Sequence, residues 1–297
     1  MSGDKNIRSA VGMINFNRVE YSAVSFLYYC VNTAQPHYLY LLDNASTDGT
    51  AEFLKELESR QDFLKSLPFE IKFMHLDKNY YVGGALNHFW RQAMSDHPDL
   101  EFLGEWMDDV MVPYQWLEWN EEMMDTFKDI GIISNETGFF PGTKEEFERV
   151  GKRVMIINAT MDGSLNLMRS CLIEKAGYIK DRGLASRAFH YIDIDNTGYK
   201  RGRSHMELKW CGERGPLYLE NTEKYKIYNG QKIRNLNTAI EVEPDMYKDM
   251  NIDRKKEGLF YANKVINLYN EWKNNAQDHY AGKESLDSYL IRKQWEK

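Results

Sequence analysis

The residues of this chain most able to do chemistry are carboxylates set where apolar runs end. The run Tyr38 to Leu42 leads into Asp43-Asn44-Ala45-Ser46-Thr47-Asp48-Gly49-Thr50. A short, wholly apolar run reads as a buried strand. Side chains past the carboxyl end of a parallel strand face the crevice where α/β folds bind ligands. A carboxylate placed there, such as Asp43, accepts hydrogen bonds from a base N–H or a ribose hydroxyl. The same segment also reads as an Asx-rich turn in which Thr47 or Asp48 caps the next helix. Taken alone it fits both descriptions. Two further acidic clusters follow, Asp108-Asp109 in Trp106 to Pro113 and Asp193/Asp195 in Phe189 to Asp195. Each admits a plain reading as solvated surface carboxylates. His190, beside the last cluster, fits either a group that tunes an acid or a packed ring.

These clusters need elements to hold them. In the first half, apolar runs alternate with helical patterns, which predicts βαβ units and a largely parallel sheet. Strands are expected at Ser9 to Ile14, Tyr38 to Leu42, Phe69 to Leu76 and Glu101 to Met107. Helices are expected at Val19 to Val31, Thr50 to Ser59 and Gly84 to Asp96. Asn135 to Gly151 carries Gly138, Pro141, Gly142 and Gly151 and reads as a long loop. Leu165 to Gly177 reads as strand then helix. Phe189 to Asp195, an aromatic and acidic segment, reads as extended and is followed by basic helical sequence containing Lys200, Arg201, Arg203 and His205. Gly258 to Asn274 is an amphipathic helix with Leu259, Ala262, Val265, Ile266, Tyr269 and Trp272 on one face, expected to pack on the core.

The 297 residues suffice for one large α/β domain with an extension or for two small domains, and 42% hydrophobic residues fit an ordinary core. A net charge of -7 without a long basic run disfavours nucleic acid and anionic lipid as partners. Cys30, Cys171 and Cys211 are sparse and distant, which argues against a disulfide frame or a zinc site and for a reducing compartment. The polar start of the chain and the lack of a long apolar stretch lead us to expect a cytoplasmic protein without a transmembrane segment.

Four segments, in order, resemble glycosyltransferase family 2. Ile14-Asn15-Phe16-Asn17-Arg18 is similar to the element that ends the family's first strand. Asp43 to Thr50 is similar to its "DNaSxDGT" element. Asn79-Tyr80-Tyr81-Val82-Gly83-Gly84-Ala85-Leu86-Asn87 resembles its "N-x-G-x-x-x-x-x-N" stretch, and Trp106-Met107-Asp108-Asp109 its acidic metal motif. Met107 stands where many members carry a first aspartate. Asp162 to Ser170 and the acidic Phe189 to Asp195 resemble the stretch and the segment that supply the family's catalytic base. The resemblance spans roughly Ser9 to Gly212; beyond it, only Tyr228 to Asn235 faintly echoes a family element.

The resemblance implies a GT-A fold: a mostly parallel, twisted sheet flanked by helices, with a helical C-terminal extension. Residues 1–215 would form the transferase domain, nucleotide-binding to about 115 and acceptor-binding from 116 to 215, with 216–297 packed on it. It implies an inverting transfer from a nucleotide diphosphate sugar to an acceptor hydroxyl. A glycan is the default acceptor, and a modified nucleobase or a protein stays open because relatives span many acceptors. Donor contacts would come from Asn15, Phe16, Asp43, Asn44, Asn79, Gly83, Asn87 and Asp108, with a structural role favoured for Asn87. Asp109 would hold Mn2+ or Mg2+. Asp193 would be the general base, with Asp195 as alternate. Two other functions share these features. A nucleotidyltransferase begins with a Gly-rich basic loop, which does not follow the first strand here. A nucleotide-sugar- or glycan-binding protein without turnover accords with Met107.

Overall fold

The computed structural model describes residues 7–135, 146–150, 153–157, 164–180, 186–204, 209–210, 247, 250–275 and 285–293. The chain begins as four βα steps. β1 (Ser9–Asn15) leads to α1 (Val19–Asn32), and β2 (Tyr38–Asp43) to α2 (Thr50–Ser59) and the short α3 (Gln61–Lys65). β3 (Glu70–His75) precedes α4 (Tyr81–Asp96), and β4 (Phe102–Met107) precedes the two-residue β5 (Val110–Met111) and α5 (Trp116–Thr126). Then come β6 (Ile130–Ser134), β7 (Glu146–Val150), β8 (Arg153–Ile157), β9 (Leu165–Arg169), α6 (Leu172–Ala176) and α7 (Ser186–Asp195). β10 (Lys200–Ser204), β11 (Lys209–Trp210), α8 (Arg254–Asn274) and α9 (Leu286–Arg292) complete the described elements.

Nine strands form one sheet in the order β3-β2-β1-β4-β9-β6-β10-β8-β7. β1 to β4 run parallel, β9 reverses between β4 and β6, β10 runs parallel to β6, and β8 reverses between β10 and β7. All but β8 and β9 therefore point the same way, and the carboxyl ends of β1, β2 and β4 lie side by side. Asn15 is in register with Asp43, and Ile14 with Met107.

Alternation along β1 divides the core into two layers. Val11 and Met13 face the cluster formed with α1, α2, α5, α8 and α9. Ala10 and Ile14 face α4, α6 and α7. Gly12 points to the second layer, where a Cβ would lie 2.5 Å from the Phe89 ring, so its missing side chain lets α4 settle against the sheet.

The C-terminal helix begins a turn earlier than expected. Its packed face is Gly258, Ala262, Val265, Leu268 and Tyr269, while Leu259 is exposed. The face is rotated because Gly258 lies directly on α2: a Cβ there would be 2.5 Å from the Phe53 nitrogen. Among the described residues no helix is long and apolar enough to cross a membrane.

Two expectations reverse. Phe189 to Asp195 is helical: His190, Tyr191 and Ile194 are buried while Ile192 and Asp195 are exposed, a helical period that reads as alternation in so short a window. Lys200 to Ser204 is a strand, since pairing with β6 and β8 on both sides overrides its local preference. Of the expected loop Asn135 to Gly151, residues 146–150 form β7, whereas 136–145 and 151 lie outside the described residues. Asp162, His205, Cys211 and Tyr228 to Asn235 also lie outside them.

Replacing Gly258 by alanine opposes two effects. Alanine gains about 1 kcal/mol in a helix interior, but the clash is with backbone, and overpacking costs about 1–3 kcal/mol. Gly258→Ala should therefore lower the urea midpoint at unchanged slope. A raised midpoint would mean that α8 is not held tightly on α2.

Candidate functional site

Three loops meet beyond the carboxyl ends of β1, β2 and β4, and their own polar groups hold them together. After β1 the backbone turns at Asn17, which adopts φ 54°, a left-handed conformation asparagine tolerates. Asn17 Oδ1 accepts from the nitrogens of Thr47 at 2.6 Å and Asp48 at 3.3 Å, and Asn17 N donates to Ser46 Oγ at 3.1 Å. Asp48 answers from the second loop. One oxygen accepts from Val19 N at 3.0 Å and the other from Thr50 N at 2.8 Å. This one buried carboxylate thus caps both α1 and α2. Asp48 is a cap, as the sequence allows, but it also caps a helix 29 residues away.

Asp43 is also committed to this turn. Its Oδ1 accepts from Ser46 N at 3.0 Å, and its Oδ2 lies 4.0 Å from His75 Nδ1. His75 in turn stands 3.9 Å from Glu58. Asn15 is fully buried and donates to the carbonyls of Met13 and Leu42, tying β1 to β2. Its Oδ1 is buried without a hydrogen-bond partner among the described residues. Asn44 reaches the next loop by donating to Asn79 Oδ1 at 2.8 Å and accepting from Tyr80 N at 2.9 Å. Gly83 is buried in the first turn of α4. Asn87 exchanges two hydrogen bonds with the backbone of Ile179, at 2.8 and 3.0 Å.

The acidic pair sits in the turn between β4 and β5. The Val110 carbonyl fixes this turn by accepting from the Trp106 indole at 3.0 Å and from Ser25. Trp106 is itself stacked on Tyr29, with ring centroids 4.3 Å apart. Asp108, 1% exposed, accepts from Phe16 N at 3.2 Å and lies 3.5 Å from Ser22 Oγ. Arg18 spans both acids. One guanidinium nitrogen donates to Asp108 Oδ1 and another to Asp109 Oδ2 at 2.7 Å. Burial pushes the Asp108 carboxyl up to about 6, against the pull of the Arg18 guanidinium.

Among the described residues no three His, Cys, Asp or Glu surround a common point. That donor set still fits Mg2+ or Mn2+ next to a phosphate, because such ions take one or two carboxylates and complete their shell from phosphates and water. Asp109 fits this pattern: it gives Arg18 one oxygen, and its Oδ1 has no hydrogen-bond partner among the described residues.

The structure does not bring Asp193 and Asp195 to this place. They end α7, which turns into the amino end of β10, at the opposite edge of the sheet from Asp43, Asp108 and Asp109. Asp195 pairs with Arg201 at 2.9 Å and Asp193 with Lys180 at 3.5 Å. His190 is buried, with Nε2 3.1 Å from the Gly177 carbonyl.

Two residues join the site that sequence reasoning does not assign to it. Arg18 lies within a recognised motif, but its partners are about ninety positions away. Tyr247, from the C-terminal part, donates to the Asn17 carbonyl at 2.7 Å; nothing in the sequence signals that contact.

Residues 11–149 match the model of the family Glycosyl transferase family 2. No curated protein matches the chain in sequence. Among solved structures, the chain resembles the mannosyltransferase PcManGT from Pyrobaculum calidifontis in complex with GDP-Man and Mn2+. Identity is 14% and the TM-score 0.53, over 96% of this chain and 78% of that one. It also resembles S. aureus TarS 1-349 in complex with UDP, at 12% identity and TM-score 0.50, over 96% and 78%. Against a second TarS structure, at 13% identity and TM-score 0.50, the match covers 87% of this chain and 48% of that one. At these identities the likeness establishes the fold, the GT-A α/β architecture.

If Asp48 caps two helices, Asp48→Ala should cost about 2 kcal/mol, about 1 for each cap. Asp48→Asn keeps one acceptor and should lose about half of that. Denaturant midpoints of the two variants check this, and equal losses would refute the double cap.

Proposed function

We propose that this glycosyltransferase, whose residues 11–149 are a family 2 domain, moves a sugar from a nucleotide diphosphate donor to an acceptor hydroxyl in a single displacement that inverts the anomeric carbon. The observation that carries the reading is the assembly of Asp43, Asp108 and Asp109 at the carboxyl ends of β2 and β4, the parallel strands that flank β1. That is the position from which an open α/β sheet binds nucleotides. The Mn2+ and GDP-Man of the mannosyltransferase with this fold support the same chemistry.

In this reading Asp43 receives the base or ribose on the oxygen that faces His75. Asn15 and Asn44 hold the strand end and the Asn79 loop around it, with the Phe16 side chain and Gly83 at its border. Asn87 braces α4 from behind. Asp109 would hold Mg2+ or Mn2+, and Asp108 orients Phe16 and Arg18 beside it. A cation bound there would supply positive charge to the leaving diphosphate. The acceptor loses its proton to a base; the ion pairs of Asp193 and Asp195 at the far edge of the sheet suit them to pinning α7.

The test is calorimetry and thermal shift with nucleoside diphosphates, with and without Mn2+, since a ligand that binds only the folded state raises its melting temperature. Asp109→Asn should abolish the Mn2+-dependent part of the stabilisation. Asp43→Ala should weaken nucleotide binding roughly tenfold, the effect of a lost hydrogen bond to a charged group. Unchanged affinity in both variants would place the donor elsewhere. Donor hydrolysis with release of nucleoside diphosphate, rather than pyrophosphate, would separate this activity from nucleotidyl transfer.

A further inference from the structure

The acidic pair already has a cation. Arg18 lies 14% exposed between Asp108 and Asp109, one nitrogen on each, with its guanidinium 5.6 Å from the centre of the Tyr21 ring. Two carboxylates and one guanidinium leave this cluster with a net charge of about -1. An arriving dication would meet the fork on the carboxylates it needs. Like charges within roughly 4 Å repel by several kcal/mol at a protein surface, so ion and guanidinium cannot share both oxygens comfortably.

The geometry lets the guanidinium leave. Asp108 keeps the Phe16 amide and has the Ser22 hydroxyl nearby when Arg18 departs, so its buried charge is not orphaned. Arg18 is the N-cap residue of α1, and the turn that carries it is anchored independently through Asn17, Asp48 and Tyr247. Its side chain can therefore swing without unlocking the loop. A planar fork released beside a diphosphate finds a matched bidentate partner.

We propose that Arg18 is the resident counter-ion of the Asp108–Asp109 pair and moves onto the donor diphosphate when a divalent cation takes Asp109. The inference rests on the donor site proposed above. It makes Arg18 a diphosphate-binding residue and a competitor of the metal. Metal alone binds weakly, metal and diphosphate bind together, and some nucleotide affinity persists without metal.

The test measures Mn2+ binding by electron paramagnetic resonance and nucleoside diphosphate binding by calorimetry in EDTA, on the full chain. Arg18→Gln should bind Mn2+ alone roughly tenfold more tightly than wild type, because a competing charge is gone. It should bind nucleoside diphosphate in EDTA at least tenfold more weakly, because a charge-assisted fork is gone. Both shifts, in opposite directions, are required, and failure of either overturns the proposal. Should Arg18→Gln not fold, Arg18→Lys decides. It keeps the charge and loses the fork, so Mn2+ affinity should stay within about threefold of wild type while diphosphate binding still falls. Undiminished diphosphate binding in Arg18→Lys overturns the proposal. If wild type binds nucleoside diphosphate only with metal, the inference fails and the donor site stands. If wild type binds none under any condition, the donor site itself is wrong.

Discussion

The reciprocal lock between Asn17 and Asp48 is the interaction on which the strand ends depend. Two loops leave adjacent parallel strands, and nothing in a β-ladder constrains them once pairing stops. Asn17 takes a left-handed turn and accepts from the second loop, while Asp48 caps the helix that follows the first. Each loop thereby satisfies the other's exposed backbone donors. Because both side chains are fully buried, loss of either would leave buried donors of the other loop unsatisfied. The lock sets where Arg18 begins α1, and so where its guanidinium meets the acids of the third loop.

The scaffold of this site extends past the segment that matches the family model, which ends at residue 149. α8 lies across α2 so closely that Gly258 and Gly49 each leave no room for a side chain: a Cβ on Gly49 would be 2.8 Å from that of Glu257. Gly49 is the N-cap residue of α2, immediately after Asp48. Tyr247 reaches the Asn17 carbonyl. The C-terminal part thus reaches both sides of the lock, Asn17 through a phenol and Gly49, next to Asp48, through α8. It buttresses the loops at the strand carboxyl ends, and its cost in ordered chain is offset by a layer of apolar contacts with α1 and α2.

Local pattern made the first half of the chain legible. Largely apolar runs gave β1, β2 and β4, the start and end of α2 coincide with the expected Thr50 and Ser59, and the acids follow strands as anticipated. Legibility failed where a short window admits two periods, as in Phe189 to Asp195, or where neighbours decide, as in β10 between β6 and β8. The positions of Asp193 and Asp195 went with that error, since a helix ending at the amino edge of β10 carries its last acids away from the strand carboxyl ends. Long-range partners were invisible for another reason. Arg18 with Asp108, and Tyr247 with Asn17, are set by which strands become neighbours, and no spacing along the chain encodes that.

Met107 acquires a physical reason from this arrangement. Its side chain packs against both apolar layers, so a carboxylate there would lose water to hydrocarbon one residue from the buried Asp108. Burial already pushes Asp108 up to about 6, and Asp109 adds to the push. A third acid would raise the cost of ionising any of them, and one guanidinium would no longer balance the group. With methionine in place, Arg18 neutralises half of the charge and engages one oxygen of Asp109. The departure from the family's acidic motif and the presence of Arg18 between the two remaining acids are therefore one electrostatic solution: fewer fixed negative charges, held ready by a positive charge that belongs to the chain.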